Sequence, residues 1–234
     1  MIVRERPILF SSAMVRATRE GRKTATRRKL KWPKGYVVDH DVVQRLARGN
    51  DAGLLSRCPY GKPGDRLWVR ESHAQVFEAD IPKGRPAGPI GTAGIPARPD
   101  WKSRYVYRAD GEMPNVQWHC VGDSQPVRWT PSIHMPRGAS RILLEIIAVR
   151  VERLQAGEGE TAFESRYLAE GLYRIHHGDG EYYYSAFHSE PTAKDWCWPE
   201  DAFRELWESI NGAGSWDANP WVWVVEFKVL EGRA

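Results

Sequence analysis

The chain has 234 residues, of which 41% are hydrophobic and 27% charged, and its formal net charge is +4. This hydrophobic fraction can supply a core, so a chain that is disordered throughout is excluded. No apolar run approaches the roughly 20 residues needed to cross a bilayer, and residues 1–7 lack the apolar core of a secretion signal. We therefore expect a cytoplasmic protein that does not enter a membrane. Three widely spaced cysteines, Cys58, Cys120 and Cys197, predict reduced, buried thiols and no disulfide framework.

The first predicted elements are a short helix and a basic strand. Residues 11–20 favour a helix, because a serine is available as its N-cap and Gly21 stands where helices commonly end. The overlapping basic segment, residues 16–34, holds nine Lys or Arg and one acid, a formal charge of +8 that leaves −4 for the other residues. Such a segment indicates an anionic partner, a nucleic acid or a nucleotide phosphate, with a solvated surface stretch as the alternative. If extended, it presents Thr24 and Thr26 on one face.

The middle of the chain predicts one strand and one long irregular stretch. After the turn at residues 63–65, Leu67 and Val69 alternate with Arg66, Trp68 and Arg70, which is typical of a strand with one wet face. Residues 80–100 contain nine Gly or Pro residues, too many for a helix or a central strand. We interpret the chain as a single domain, residues 1–234, with an irregular insertion at about 76–130 that is either a lid or mobile.

The second half predicts a central strand and a helix that carries an acid. Residues 142–151 are apolar on both faces, which indicates a covered, central strand. Residues 161–170 favour a helix ended by Gly171, with Phe163 and Tyr167 on one side. Glu170 then lies in the last turn, where the helix dipole favours cations, so we expect a positive partner or a functional role for it.

The last elements are a second helix and a closing strand. Residues 198–201 begin the clearest helix, which ends before Gly212 and whose expected core positions are Phe203, Leu206, Trp207 and Ile210. Residues 221–229 are strongly β-prone and predict the last strand.

Common catalytic motifs are missing from the sequence. It has no phosphate-binding loop, no serine-hydrolase elbow, no zinc-protease motif and no dinucleotide-binding glycines. The one close histidine pair, His176-His177, points apart on regular structure, so we expect no metal and no cofactor. Lys23 and Thr26 remain, an amine three residues from a hydroxyl. A threonine becomes a nucleophile when a base takes its proton, and a lysine can do so when burial or nearby cations keep it neutral.

These residues resemble the ASCH domains, relatives of the PUA fold found in many RNA-modifying proteins. Gly21-x-Lys23-x-x-x-x-Arg28 matches the signature of that family at every fixed position. The longer ASCH proteins of phages and prophages are especially similar. Further matches are Pro63-Gly64-Asp65-Arg66-Leu67-Trp68-Val69, Cys58-Pro59-Tyr60-Gly61, Ala169-Glu170, Trp216-Asp217-x-Asn219-Pro220-Trp221 and Val224-Val225-Glu226-Phe227-Lys228.

The resemblance implies an α+β, PUA-like mixed β-barrel with flanking helices and a long irregular insertion. A small bacterial member of the family hydrolyses N4-acetylcytidine, and by motif position its threonine nucleophile, lysine base and glutamate correspond to Thr26, Lys23 and Glu170. Glu71 competes for the role of the acid. The same resemblance implies a modified nucleoside or a nucleic acid as partner, and the residues expected to contact it are Arg27, Arg28, Trp68, Arg70 and Glu71.

Two alternatives to an amidohydrolase stay open. The first is a non-catalytic RNA- or DNA-binding module that uses residues 16–34, and the second is a ribonuclease. An acid within reach of Lys23 would also raise the lysine pKa and oppose its use as a base. The sequence leaves that conflict and the oligomeric state open.

Overall fold

The structure is a computed structural model and describes residues 3–32, 42, 45, 52–77, 103–111, 129–159 and 161–230. Most of the predicted insertion, including all of residues 80–100, lies outside the described residues. A search of the described helices finds none whose length and hydropathy would let it span a bilayer.

The described elements include three α-helices, nine strands and four short 3-10 helices at Arg108–Asp110, Ser132–His134, Arg137–Ala139 and Leu154–Gly157. The helices are α1 (Ser12–Arg19), α2 (Ala52–Leu55) and α3 (Pro199–Asn211). The strands are β1 (Glu5–Leu9), β2 (Ala25–Lys29), β3 (Arg66–Arg70), β4 (His73–Phe77), β5 (Ser103–Tyr107), β6 (Leu143–Arg153), β7 (Tyr173–His176), β8 (Tyr182–Ser185) and β9 (Trp221–Leu230). Five strands form one sheet in the order β1-β3-β6-β9-β2, while β4-β5 and β7-β8 form two-stranded sheets.

This architecture confirms the α+β class. None of the three sheets closes into a barrel within the described ranges, so the PUA-like barrel stays a prediction. The chain divides into a larger unit, Met1–Pro7, Ala17–Leu67 and Ile142–Ala234, and a smaller unit, Ile8–Arg16 and Trp68–Arg141. The single domain predicted for the whole chain stays a prediction as well.

The larger unit is organised around the ladder of β2, β9 and β6, which has two faces. Strand pairing places Arg27 opposite Val224 and Arg28 opposite Trp223, and directly paired residues share a face. The helix face carries Ala25, Arg27, Val222 and Val224, and its valines pack with Phe203, Leu206 and Trp207 of α3. The loop face carries Thr26, Arg28, Trp223 and Val225, and Trp223 packs with Leu30, Leu54 and Cys58. Both faces are therefore covered, which suits the continuous apolar run of β9.

Most predicted elements of regular structure are confirmed. In α1 the Met14 amide donates to Ser11 Oγ at 3.3 Å, and Gly21 follows with φ of 75°. In β3, Leu67 and Val69 are buried while the alternate residues are half-exposed. Strand β6 lies in the centre of the five-stranded sheet, as its apolar faces predict. The predicted last helix and last strand correspond to α3 and β9.

The helix predicted for residues 161–170 is wrong. These residues form successive turns, in which the Glu170 amide bonds to Tyr167 O and the Gly171 amide to Leu168 O. The Arg166 carbonyl, which such a helix would use internally, accepts from Arg27 Nη1 at 3.4 Å instead. The Ala169 carbonyl accepts from the amides of Thr24 and Ala25. The predicted pairing of Phe163 with Tyr167 on one side also fails, since Tyr167 is fully buried and Phe163 is 63% exposed.

Two smaller expectations are wrong. Ile210 is exposed because it lies in the last turn of α3, outside the cluster that buries Phe203, Leu206 and Trp207. Cys58 is a buried free thiol as predicted, but Cys197, just before α3, is exposed. Cys120 lies outside the described residues.

Candidate active site

Lys23 is placed by the tight reversal between α1 and β2. Gly21 takes the left-handed conformation that ends the helix, and its amide bonds to Thr18 O at 3.2 Å. The Lys23 amide then bonds back to Ala17 O at 3.0 Å, and Lys23 itself forms an antiparallel bridge with Glu170. The basic segment therefore turns the Lys23 side chain into the interior of the larger unit.

The Lys23 ammonium makes three hydrogen bonds in a buried position. Nζ donates to Glu170 Oε2 at 2.7 Å, to Ala25 O at 2.8 Å and to Glu170 O at 3.1 Å. The side chains of Lys23 and Glu170 are 0% and 3% exposed. Residues 147 positions apart in the chain thus form a dehydrated ion pair, so the expectation of a positive partner for Glu170 is confirmed.

Arg27 extends this pair into a chain of four charges on the helix face. Its Nη1 donates to Glu170 Oε1 at 3.2 Å, and its Nη2 donates to Glu152 Oε1 at 3.0 Å. The guanidinium also lies over the Tyr167 ring, 4.8 Å from its centroid. Both oxygens of Glu170 therefore accept from cations. Such pairing offsets the large desolvation penalty of buried ions.

Burial sets the protonation tendency of Lys23. Desolvation lowers the pKa of Lys23 below its ordinary value, and this effect is larger than the opposite effect of the Glu170 carboxylate. The charges of Arg28 and Arg27 lower the pKa further. The net direction is a pKa below that of a free lysine, with the Glu170 carboxylate acting against the shift.

Thr26 lies on the other face of β2 from Arg27, since successive strand residues point to opposite faces. It is 1% exposed and pairs with Val225 across the ladder. Because Ala25 O belongs to the peptide that joins Ala25 to Thr26, the Lys23 ammonium sits beside that peptide. The amine thus reaches the outer edge of β2, between the face of Glu170 and the face of Thr26.

A glycine allows the acid-bearing turn to approach Lys23. Gly171 has φ of 95°, a conformation that L side chains rarely adopt. A Cβ at this position would lie 2.6 Å from Ala17 Cβ and 3.0 Å from Lys23 Cβ. The close approach of Glu170 to Lys23 therefore depends on residue 171 being a glycine.

The remaining predicted binding residues fall into two groups. Arg28 is half-exposed on the loop face of the larger unit. Trp68, Arg70 and Glu71 belong to the smaller unit, where the Arg70 guanidinium lies 5.4 Å from the centroid of the Trp68 ring. Glu71 is 1% exposed, and its two oxygens accept from Arg141 at 2.9 and 3.0 Å. Glu71 thus has its own cation, whereas Glu170 contacts Lys23.

A cavity of about 380 Å³ lies at the end of β2 and was missed by the sequence analysis. It is lined by Lys29, Leu30, Lys31, Leu54, Arg57, Pro59, Tyr60 and Trp223. The basic residues and the Cys58-Pro59-Tyr60-Gly61 string are visible in the sequence. Their meeting with Trp223 is not visible, because it requires the pairing of β2 with β9.

In comparisons with known proteins, no protein-family model, no curated protein and no solved structure matches the chain.

Proposed function

We propose that the protein is an amidohydrolase that removes the acyl group of an N4-acylated cytidine or a related modified nucleoside. The observation that carries this proposal is the buried Lys23 ammonium, bonded to Glu170 and to the peptide that precedes Thr26. Burial favours its neutral form, which is the form that accepts a proton.

In the proposed reaction, Thr26 Oγ1 attacks the acyl carbon while its proton passes to Lys23 Nζ. Collapse of the tetrahedral intermediate breaks the carbon–nitrogen bond, and the released amine takes up the proton from Lys23. Water then hydrolyses the threonine ester to regenerate the hydroxyl and release the carboxylic acid. Glu170 and Arg27 are positioning residues, because Glu170 holds the lysine side chain, Arg27 holds Glu170, and neither touches the acyl group.

Access of the substrate to Lys23 and Thr26 requires the residues that cover them to move. Lys23 and Thr26 are each 1% exposed, so the acyl group reaches them only when covering residues move. Thr26 points to the loop face, where the half-exposed Arg28 is two residues further along the same strand. We therefore expect substrate to enter from the loop face.

The contacts of the basic segment support the hydrolase over the non-catalytic binding module. Lys23 and Arg27 turn inward to carboxylates, and Arg22 Nε donates to Glu20 at 2.9 Å. These three cations are engaged within the protein, so the segment offers a phosphate fewer charges than its sequence suggests.

The test is release of cytidine from N4-acetylcytidine by the purified protein, followed by chromatography. Thr26→Val removes the hydroxyl at nearly constant shape, and we expect a loss of at least about 100-fold in kcat. Thr26→Ser keeps a hydroxyl and should retain measurable activity. Lys23→Met should match Thr26→Val, because both changes disable one proton-transfer step.

The chain offers a matched control two residues away. Thr24 is exposed in the same string, so Thr24→Val should leave kcat unchanged. Cytidine release that survives both Thr26→Val and Lys23→Met would refute the proposal. Unfolding temperatures of all variants identify any loss of activity that results from misfolding.

A further inference from the structure

The cavity at the end of β2 combines two kinds of residue that recognise nucleotides. Lys29, Lys31 and Arg57 are exposed cations that line it, and Tyr60 and Trp223 contribute aromatic rings. No acidic side chain is among its described lining residues. Cations attract phosphate, and aromatic rings stack on bases.

The cations of this cavity are available to a ligand. Lys29, Lys31 and Arg57 have no ion pair with any carboxylate in the part of the chain that the structure describes. This arrangement differs from that of Lys23 and Arg27 on the same segment, which are buried against acids. Three cations that no described carboxylate pairs with, around one concavity, raise the local concentration of anions.

The aromatic side is held in place by a tight turn. The Gly61 amide bonds to Cys58 O at 3.2 Å, and Arg6 Nη1 donates to Pro59 O at 3.3 Å. Burial raises the pKa of Tyr60, so its ring stays a neutral phenol at neutral pH. Trp223 is 3% exposed and packs on Leu54 and Cys58, so the core fixes its position. The half-buried Tyr60 is therefore the ring that can stack on a base.

The cavity also shares a face with Thr26. Trp223 pairs with Arg28, and Thr26 is two residues before Arg28, so all three point to the loop face. Lys29 pairs with Val222, so it lies on the other face of β2 from Thr26 and lines the cavity at the end of the strand. It is three residues from Thr26, which is about 10 Å at roughly 3.3 Å per residue. A ligand in the cavity would therefore extend along the strand towards the Thr26 hydroxyl.

We propose that this cavity binds the phosphate and the ring of a nucleotide, so that the substrate carries phosphate and is not a neutral nucleoside. The inference rests on the proposed function for the reaction, whereas nucleotide binding itself is measured without any reaction. The volume of the cavity, about 380 Å³, is in the ordinary range for small-ligand sites.

The test measures binding of cytidine 5′-monophosphate, cytidine and inorganic phosphate to the full chain by titration calorimetry. We expect the monophosphate to bind about tenfold or more tightly than either of the others, and this advantage to shrink as salt rises. In the variant Lys29→Ala/Lys31→Ala/Arg57→Ala the advantage should disappear. Lys194→Ala, which removes an exposed lysine that does not line the cavity, is the control and should keep it.

Two further variants examine the ring. Tyr60→Phe keeps the stacking surface and should keep monophosphate affinity, whereas Tyr60→Ala should lose about tenfold. Equal affinity for cytidine and its monophosphate, or an unchanged affinity in the triple variant, would overturn the inference. Binding of polyglutamate as tight as that of the monophosphate would overturn it too, because charge alone would then suffice.

An oligocytidylate distinguishes the sources of the phosphate. Tighter binding of the oligomer than of the monophosphate, with a steeper salt dependence, identifies a polymer substrate, and equal binding identifies a free nucleotide. Cytidine monophosphate binding without any deacylation would refute the proposed function alone. Equal kcat/KM for N4-acetylcytidine with and without a 5′-phosphate would refute this inference alone.

Discussion

Two regions of the larger unit treat charge in opposite ways: the buried cluster around Glu170 and the cavity at the end of β2. On the helix face, Lys23, Arg27 and Glu170 are buried and paired with one another. At the cavity, next to the loop face, Lys29 and Arg57 are exposed, and no described carboxylate pairs with them. A buried ion requires a partner because it has lost its water, while an exposed ion keeps its hydration. The buried cluster thus uses charge to hold the protein together, and the cavity keeps charge available for a ligand.

The largest effect should come from removing the shared acid. Glu170→Ala leaves Lys23 and Arg27 buried without their common carboxylate, and we expect the free energy of unfolding to fall by about 3–5 kcal/mol. Urea denaturation measures this. Glu145→Gln, which breaks the more exposed pair of Glu145 with Lys228, should change it by less than about 1 kcal/mol. Equal losses in the two variants would show that burial of the pair is not what matters.

The next largest effect on stability should come from adding a side chain at Gly171, between the turn that carries Glu170 and Lys23. Gly171→Ala introduces a Cβ 2.6 Å from Ala17 Cβ at a φ of 95°, and we expect a loss of about 2–4 kcal/mol. Gly178→Ala is the matched control, because φ there is 87° but no atom lies within 4 Å of the new Cβ. Its loss should be about 1–2 kcal/mol, so thermal unfolding that ranks the two variants equally would contradict the crowding argument.

A smaller effect should appear as a pH dependence of stability. The folded pKa of Lys23 lies below its ordinary value of 10.5, so the unfolded chain binds this proton more tightly. The unfolding free energy should therefore rise, by at most about 1.4 kcal/mol per pH unit, as pH increases through the folded pKa towards 10.5. The variant Lys23→Met/Glu170→Leu lacks this contribution. A difference between the two proteins that stays constant with pH would contradict the lowered pKa.

The smallest effect on stability is expected at the cavity. Replacing Lys29, Lys31 and Arg57 together by alanine removes mutually repelling, hydrated charges, so unfolding should change by no more than about 0.5 kcal/mol per site. Chemical denaturation of the triple variant tests this. A loss as large as that of Glu170→Ala would show that the cavity cations are structural. The contrast between the buried cluster and the cavity would then be false.

Local patterns in the sequence predicted the helices and strands in which buried residues recur at a regular spacing. The alternation in β3 and the spacing of Phe203 and Trp207 in α3 each reflect one buried face, which a single segment reveals. Residues 161–170 have the composition of a helix, but their carbonyls are taken by Thr24, Ala25 and Arg27. That competition is set by contacts about 145 residues away in sequence, which no local pattern contains.

The candidate site shows the same limit. The resemblance to a family singled out Lys23, Thr26 and Glu170. The structure brings Lys23 and Glu170 into contact, whereas Thr26 lies on the other face of β2 from Arg27.

The cavity was not predicted, since its lining comes from β2, from residues 54–60 and from Trp223. Only strand pairing joins these segments. Arg27 and Lys29 lie on the same face of β2, yet Arg27 is buried and Lys29 is exposed. The basic residues could therefore be divided into buried and exposed sets only after the segments that cover β2 were known.

The turn that carries Glu170 has a consequence for the behaviour of the protein at high concentration. Strand β2 is an outer strand of the five-stranded sheet, and such strands can pair with a second molecule and start aggregation. The carbonyl of Ala169 already occupies the amides of Thr24 and Ala25, and the far end of the strand carries Arg28 and Lys29, which repel an identical strand. The segment that supplies the acid therefore also shields the margin of the sheet from self-association.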